Sequence, residues 1–424
     1  MSHFPGSRNA AIATVAAVAL LASACSQGSA TRAPSGADGK ATVRYFTFSA
    51  APDHLKDLDT IEKAFEKENP KVDVVVETAP FEEYFTKLQT SIAGGTAPDA
   101  FELNYENFVT YASAGSLLDL GTVAGDGDTS VYAQESLNAF QQDGKQYALP
   151  ASFSTVVLFY NKDLFKKAGV AEPTADWTWA DEQAAAAELT DRKKGVYGDF
   201  QPVQFFEFYK TLKQAGGEFL SADGKKATFN SPEGVKAAKW LVGKVGKSMP
   251  TEAEIGGAAD YDTNLFKSGK LAMWHNGIWQ FAGLKDVPFE WDVVVEPGDA
   301  NKASAVFHNA VAISSGTKAG KDAYAWARFL SSSNVAATTR IQSSWELPPV
   351  ADQQVLSGYL KDPKPANRQA VFDSLKSIAL PPVIKRQQEM QDAVTKQLTE
   401  AAAGRTSVED ALKAAAADVD ALLG

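Results

Sequence analysis

The groups in this sequence that could carry bond chemistry are few and scattered. Beyond His3, histidine stands only at 54, 275 and 308, at no spacing that would set two imidazoles on one metal. Neither a Gly-x-Ser-x-Gly elbow nor a His-Glu-x-x-His stretch occurs, so the common serine-nucleophile and zinc-peptidase arrangements are missing. Gly246-Lys247-Ser248 imitates the end of a phosphate-binding loop, but Leu241 stands where the leading glycine is required, and the triplet reads as a solvated turn. Glycoside hydrolysis needs only two carboxylates, so 52 acidic residues leave a surface-anchored glycosidase open as an alternative function. The lone cysteine, Cys25, allows no intrachain disulfide and no cysteine-rich zinc cluster. No catalytic group, metal site or cofactor is expected.

Cys25 ends a distinctive stretch. After Arg8 the run Ala10 to Ala24 is almost wholly apolar, as in the h-region of a signal peptide, and it falls short of the roughly 20 residues of a spanning helix. Leu20-Leu21-Ala22-Ser23-Ala24-Cys25 resembles the lipobox of bacterial lipoproteins, although Ala22 stands where that family usually has leucine. The resemblance implies a signal peptide at 1–24 and a lipidated Cys25 that tethers the chain to the outer face of the cell membrane. The other reading is cleavage after Ala22-Ser23-Ala24 that leaves Cys25 a plain thiol; both are extracytoplasmic. Residues 26–40 are small and polar without an aromatic, so the stretch 25–40 reads as a lipidated cysteine followed by a flexible linker.

The elements that would have to position any site follow. With 45% hydrophobic and 22% charged residues over 424 positions, the chain can form two or three globular domains. Its formal charge of -11 has the wrong sign for a surface that neutralises phosphates, which excludes nucleic acid as a partner. Thr42 to Phe48 reads as a strand, Leu55, Leu58, Ile61 and Phe65 as a helical stripe, Val72 to Val76 as a strand, and Phe81, Phe85, Leu88 and Ile92 as a second stripe. That alternation predicts an α/β fold with a mostly parallel sheet. Val156 to Tyr160 reads as a strand running through Asn161 into a helix that ends at Gly169. Thr178-Trp179-Ala180-Asp181 and Ser231-Pro232 read as helix starts, and the chain from about Leu380 as helix broken at Gly404. Gly121 to Ser130 and Lys361 to Pro365 read as surface loops.

Five blocks, in order, resemble the extracellular solute-binding proteins of sugar-importing ABC transporters, the group that includes maltose-binding protein. They are Phe65 to Pro70, Leu88 to Ala100, Tyr147 to Trp177, Gln214 to Trp279 with its Phe266 to Met273 segment, and Gly404 to Leu412. The resemblance covers most of residues 41–424. It implies a two-lobed periplasmic-binding-protein-like fold (type II) with the ligand cleft between the lobes. Lobe one would be 41–150 plus 310–346, and lobe two 151–309 plus 347–424, with hinges near Phe153, His308 and Leu347-Pro348-Pro349. It also implies a carbohydrate ligand, ABC permease subunits as partners, a monomer, and no enzymatic activity. A peptide or another polar solute is the remaining alternative ligand.

A sugar presents C–H patches that suit aromatic faces and hydroxyls that need donors and acceptors. Trp279 occupies the position of the family's Gly-x-Trp, whose tryptophan stacks on sugar. The other candidate ligand residues are Trp345 and Glu346 before the last hinge, Phe153 and Ser154 at the first, Asn104 and Tyr105 after the third strand, Trp274, His275 and Asn276 at a strand's carboxyl end, and Ser49 after the first strand. Trp240 and Trp326 read as core. Gln388-Glu389-Met390-Gln391-Asp392 lacks the aromatics that maltose-binding protein carries there, which argues against a maltose-type ligand. Mass spectrometry of the mature N-terminus is expected to find a diacylated Cys25; an unmodified Cys25 would remove the tether.

Overall fold

A computed structural model describes residues 39–125, 129–258, 260–350 and 356–423, so the readings for the signal peptide, Cys25 and most of the linker lie outside the described residues. The chain opens with β1 (Ala41–Thr47), α1 (Pro52–Glu68), β2 (Val72–Thr78), α2 (Phe81–Ala93), β3 (Ala100–Asn104) and α3 (Tyr105–Ser113). A short α4 (Gln134–Asn138) and the hairpin β4 (Gln141–Gln142) and β5 (Lys145–Gln146) lead into the long strand β6 (Ala148–Asn161). Then come α5 (Lys162–Ala168), α6 (Trp179–Leu189), α7 (Phe205–Gln214), α8 (Pro232–Val242), α9 (Glu252–Ile255), α10 (Tyr261–Lys267), β7 (Met273–Gly277), β8 (Trp291–Val294) and β9 (Ser304–Ile313). The rest is α11 (Gly320–Ser332), α12 (Asn334–Ser343), α13 (Gln369–Ser374), β10 (Ile378–Ala379), α14 (Gln387–Ala402) and α15 (Val408–Leu423).

Local chemistry sets the ends of these elements. Asn161 accepts a hydrogen bond from the Leu164 amide to start α5, and Gly169 closes that helix in the left-handed region at φ 71°. Thr178 and Asp181 form the expected capping box of α6, and Ser231 caps α8 through the Gly234 amide. The C-terminal helix starts later than the apolar pattern suggests, at Gln387. Pro381 and Pro382 supply no amide donor and hold the backbone extended.

The sheet runs β2-β1-β3-β9-β6-β7, with β10 on β9 and β8 on β6. Among the described strands of this sheet, only β2-β1-β3 and the short β10-β9 contact are parallel; β9 is antiparallel to both β3 and β6, and β6 is antiparallel to β7 and β8. The mostly parallel expectation holds only for the opening β-α repeat. The reason is topological: β6 leaves one half of the molecule for the other and β9 returns, so neighbouring passes run in opposite directions. Ala148–Thr155 of β6 pairs with β9, whereas Val156–Asn161 pairs with β7 and β8. At the midpoint, Phe153 pairs with His308 of β9, and it exchanges backbone hydrogen bonds of 2.9 and 3.0 Å with Leu347.

The cores divide along the same line. Buried residues between Val43 and Ala151 and between Ala310 and Trp345 cover the two faces of β1, β2 and β3, with Trp326 edge-on to Tyr45 and Phe65 at 5.7 and 5.3 Å. Buried residues between Val156 and Ala305 and between Leu347 and Val419 form the second half. Trp240 and Trp326 pack as expected: Trp326 is fully buried, and Trp240 stacks on Trp179 at 4.7 Å.

Within the second half a buried ion network ties six segments together. Lys244 lies 2.6 Å from Glu182 of α6 and 2.5 Å from Asp199, and Lys210 of α7 lies 2.6 Å from Glu207 and also bonds Glu296. His275 of β7 bridges the two groups, with Nε2 2.9 Å from Glu182 and Nδ1 2.7 Å from Glu296. Burial disfavours a charged His275, but Glu182 and Glu296 overcome it and raise its pKa to about 9, which makes it the third cation among four carboxylates. Burial pushes the Asp199 carboxyl up, toward the neutral form that would balance the set. Two trios, Glu182-Asp199-His275 and Glu207-His275-Glu296, have their donor atoms within 4.8 Å of one another, yet the Lys244 and Lys210 ammoniums already supply the positive charge there. Removing one partner of such a network leaves a buried charge uncompensated. Lys244→Met is therefore expected to cost about 3–5 kcal/mol in urea unfolding. Lys239→Met, which breaks an exposed pair with Glu409, should stay within about 0.5 kcal/mol. Equal effects of the two would show that the buried network adds no stability.

Candidate ligand site

Between the halves, at the carboxyl ends of β1 and β3, lies a polar floor. The Glu346 carboxylate accepts from Ser152 Oγ on β6 and, at 3.2 Å, from Asn309 Nδ2 on β9, so one side chain on the third pass ties the other two. Arg340 stands 3.6 Å from it. Ser154 is buried beside Glu346, its hydroxyl without a well-aligned partner. Glu102 in the middle of β3 accepts from Thr47 Oγ1, and Ser49 Oγ approaches it at 3.5 Å. Burial and then the nearby Glu346 push the Glu102 carboxyl up to about 7. Ser49, Ser154 and Glu346 are thus brought together.

Asn104 ends β3 and bonds Glu106 Oε1 at 2.6 Å, while Asn107 donates to its Oδ1 at 2.9 Å. Glu106 Oε2 is buried without a partner, and burial pushes this carboxyl up to about 7. On the second half, the buried Tyr209 hydroxyl of α7 also lacks a partner, and burial, then the charge of Glu106, push its pKa up. Unpaired groups of this kind cost about 1–3 kcal/mol each unless something polar meets them.

Over this floor runs an arc of half-exposed aromatics that bridges the halves. Phe48 meets Phe81 at 5.4 Å, Phe81 meets Phe206 across the divide at 6.0 Å, and Phe206 meets Phe307 at 5.8 Å. Phe307 meets Trp279 at 5.8 Å and 60°. Trp279 is half-buried, and its ring folds back over Gly277. A Cβ at Gly277 would lie 1.9 Å from Trp279 Cζ3, so the glycine of Gly277-Ile278-Trp279 is what lets the ring lie there. The halves also touch at Thr110 Oγ1 to the Lys385 carbonyl, 2.9 Å, and at Lys285 Nζ to the Gln342 carbonyl, 3.1 Å.

Other expected residues lie elsewhere. Trp274 is fully buried, stacked on Phe266 at 5.1 Å and bonded through Nε1 to Asp262, and His275 is consumed by the ion network; strand alternation and core packing turn both away from the divide. Asn276 bonds Asp262 at 3.3 Å and the Gly277 amide. Trp345 is buried with both faces taken, by His54 stacked at 4.7 Å and by the Arg340 guanidinium at 4.0 Å. Phe153 projects from the opposite face of β6 to Ser152 and Ser154. There it lines, with His308 and Pro349, a rear cavity of about 320 Å³. Tyr105 packs toward Phe140 in the first half.

Phe81, Phe206, Phe307, Glu102, Glu106, Tyr209 and His54 were not singled out as ligand residues by the sequence reading. A usable signal existed for two of them: Phe81 and Phe206 stand at helix starts, where an apolar residue is not yet part of the buried stripe.

Residues 53–337 match the bacterial extracellular solute-binding protein family. A putative binding protein of Brucella abortus is 25% identical over 373 residues, 86% of this chain and 89% of that protein. The maltodextrin-binding protein MdxE of Bacillus subtilis is 26% identical over 290 residues, covering 67% of this chain and 66% of that one. The ABC substrate-binding protein Lmo0181 from Listeria monocytogenes, solved in complex with cycloalternan, superposes with a TM-score of 0.86 at 44% identity, over 90% of this chain and 98% of that one. The GacH receptor of Streptomyces glaucescens, solved unliganded and with acarbose, gives a TM-score of 0.76 at 26% identity over 91% and 98%. The chain belongs to the bacterial extracellular solute-binding protein family and has the two-lobed α/β fold of its solved neighbours.

Proposed function

We propose that this protein captures an oligosaccharide of the cycloalternan class between its lobes and hands it intact to the permease of an ABC importer. The observation that carries this reading is the aromatic arc from Phe48 to Trp279, which continues across both halves above unpaired polar groups. Ring faces suit a sugar's C–H patches, and Glu106, Tyr209 and Ser154 offer donors and acceptors to its hydroxyls. The choice of ligand is supported by the 44% identity to the Listeria protein bound to cycloalternan. The lobes are 41–150 plus 310–346 and 151–309 plus 347–424, moving as rigid bodies about Phe153, His308 and Leu347. Closure follows from ligand touching both lobes, because only differential affinity for the closed state shifts the population. The protein acts as a monomer outside the cytoplasmic membrane, held by lipid on Cys25. The partner permease works with a cytoplasmic ATPase.

A thermal-shift screen of mono- and oligosaccharides is expected to give its largest stabilisation with cycloalternan. Prolonged incubation should return the sugar uncleaved; released fragments would favour a glycosidase. Small-angle scattering should show a smaller radius of gyration with ligand. Trp279→Ala should weaken binding roughly tenfold or more. Gly277→Ala should do the same without touching the ligand, because it displaces the Trp279 ring. A Gly277→Ala protein that binds as tightly as the wild type would take Trp279 out of the site.

A further inference from the structure

Behind the junction, on the face of β6 that looks away from Ser152 and Ser154, the cavity of about 320 Å³ touches all three passes of the chain, at Phe153, His308 and Pro349. Its sides come from different halves. Ala133 and Ser136 at α4 form one side, where the Ala133 amide donates to the Pro349 carbonyl at 3.2 Å. Phe372 and Leu375 at α13 form the other, tied to β6 beyond the crossing by a 2.9 Å bond between the hydroxyls of Ser374 and Thr155. Among the described residues the lining is apolar apart from Ser136 and His308, and His308 Nδ1 is buried without a hydrogen-bond partner. We propose that this cavity is a second ligand site, for a compact two-ring apolar molecule carrying one hydroxyl, and that filling it favours the closed form of the protein. The proposal rests on the reading of the protein as a receptor whose halves close about these three passes.

Size and chemistry select that class of guest. A dry apolar cavity of roughly 150 Å³ holds one benzene, so about 320 Å³ accommodates a fused pair of rings. A charged guest would forfeit its hydration against Phe153, Phe372 and Leu375 and gain no opposite charge from the described lining. A hydroxyl both donates and accepts, so it can pair with Nδ1 in either tautomer of a neutral imidazole. Burial lowers the His308 pKa and so keeps that ring neutral.

The coupling to the front follows from the hinge. The halves meet there through Phe81 and Phe206 and through Thr110 and the Lys385 carbonyl, and the floor of Ser152, Asn309 and Glu346 lies on that side of the passes. Rotation that parts the front contacts brings the α4 and α13 sides together behind the same pivot and shrinks the cavity. A guest in the cavity therefore binds the closed form better than the open one. By reciprocity it raises the affinity for a sugar that also binds the closed form.

The test uses 2-naphthol as the probe and calorimetry as the readout. One equivalent is expected to bind without sugar, and its presence should strengthen cycloalternan binding roughly fivefold or more. Ser136→Phe, which fills the cavity, should abolish both the binding of the probe and its effect on the sugar; Leu375→Trp blocks the cavity from the other side should Ser136→Phe fail to fold. Absence of probe binding, or binding that persists in a folded blocked variant, would overturn the second site. Unchanged or weakened sugar binding in the presence of bound probe would overturn the coupling, the weakening because it marks competition at the front. A separate arm needs no sugar: the probe alone should reduce the radius of gyration in small-angle scattering, and Ser136→Phe should remove that response. If this arm succeeds while cycloalternan does not bind, the ligand assignment falls and the second site stands.

Discussion

Backbone hydrogen bonds at Phe153 hold three separate passes of the chain side by side, and most of what is distinctive about the molecule follows from that junction. The passes at Phe153, His308 and Leu347 come from stretches up to 194 residues apart, as the Ser152 to Glu346 bond also spans. Because two passes lead out and one leads back, the sheet must change from parallel to antiparallel where they meet. Each half then completes its own core from discontinuous segments. The polar tie from Glu346 to Ser152 and Asn309 lies on one side of the junction, while Phe153 and His308 face the cavity on the other.

Buried charge is paired most densely inside the second half. In the second half, Glu182, Asp199, Glu207 and Glu296 are offset by Lys244, Lys210 and His275, so the network joins helices and strand into a firm support. At the divide, Glu106, Tyr209 and the Nε2 of His54 each carry a polar atom that no cation or hydrogen bond meets. Unmet hydrogen-bonding capacity is costly inside a protein, and where it lies beside converging aromatic rings it suits a hydroxyl-rich guest.

Much of this fold was legible in the residues. The strands at 41–47 and 72–78, the caps at Thr178 and Ser231, the stop at Gly169 and the blocks shared with the family all depend on short-range chemistry that survives in a linear reading. Of the candidate site, only some places were legible. Trp279 stood out through its motif, and Ser49, Ser154 and Glu346 through their places at strand ends and hinges. Trp274, His275 and Trp345 satisfied the same positional argument, yet each is committed to neighbours that come from far along the chain.

By itself the sequence determined the periodicity of the elements, their caps, the net negative charge, and a tryptophan preceded two places earlier by glycine. Only the tertiary structure decided which aromatics share one arc, which polar atoms stay unpaired, and that a Cβ at Gly277 would collide with the ring it serves. The physical reason is range. Helix and strand signals arise from neighbours within a few residues, whereas a side chain's exposure to the cleft depends on which distant segments cover it, and here those segments meet only through three crossings of the chain.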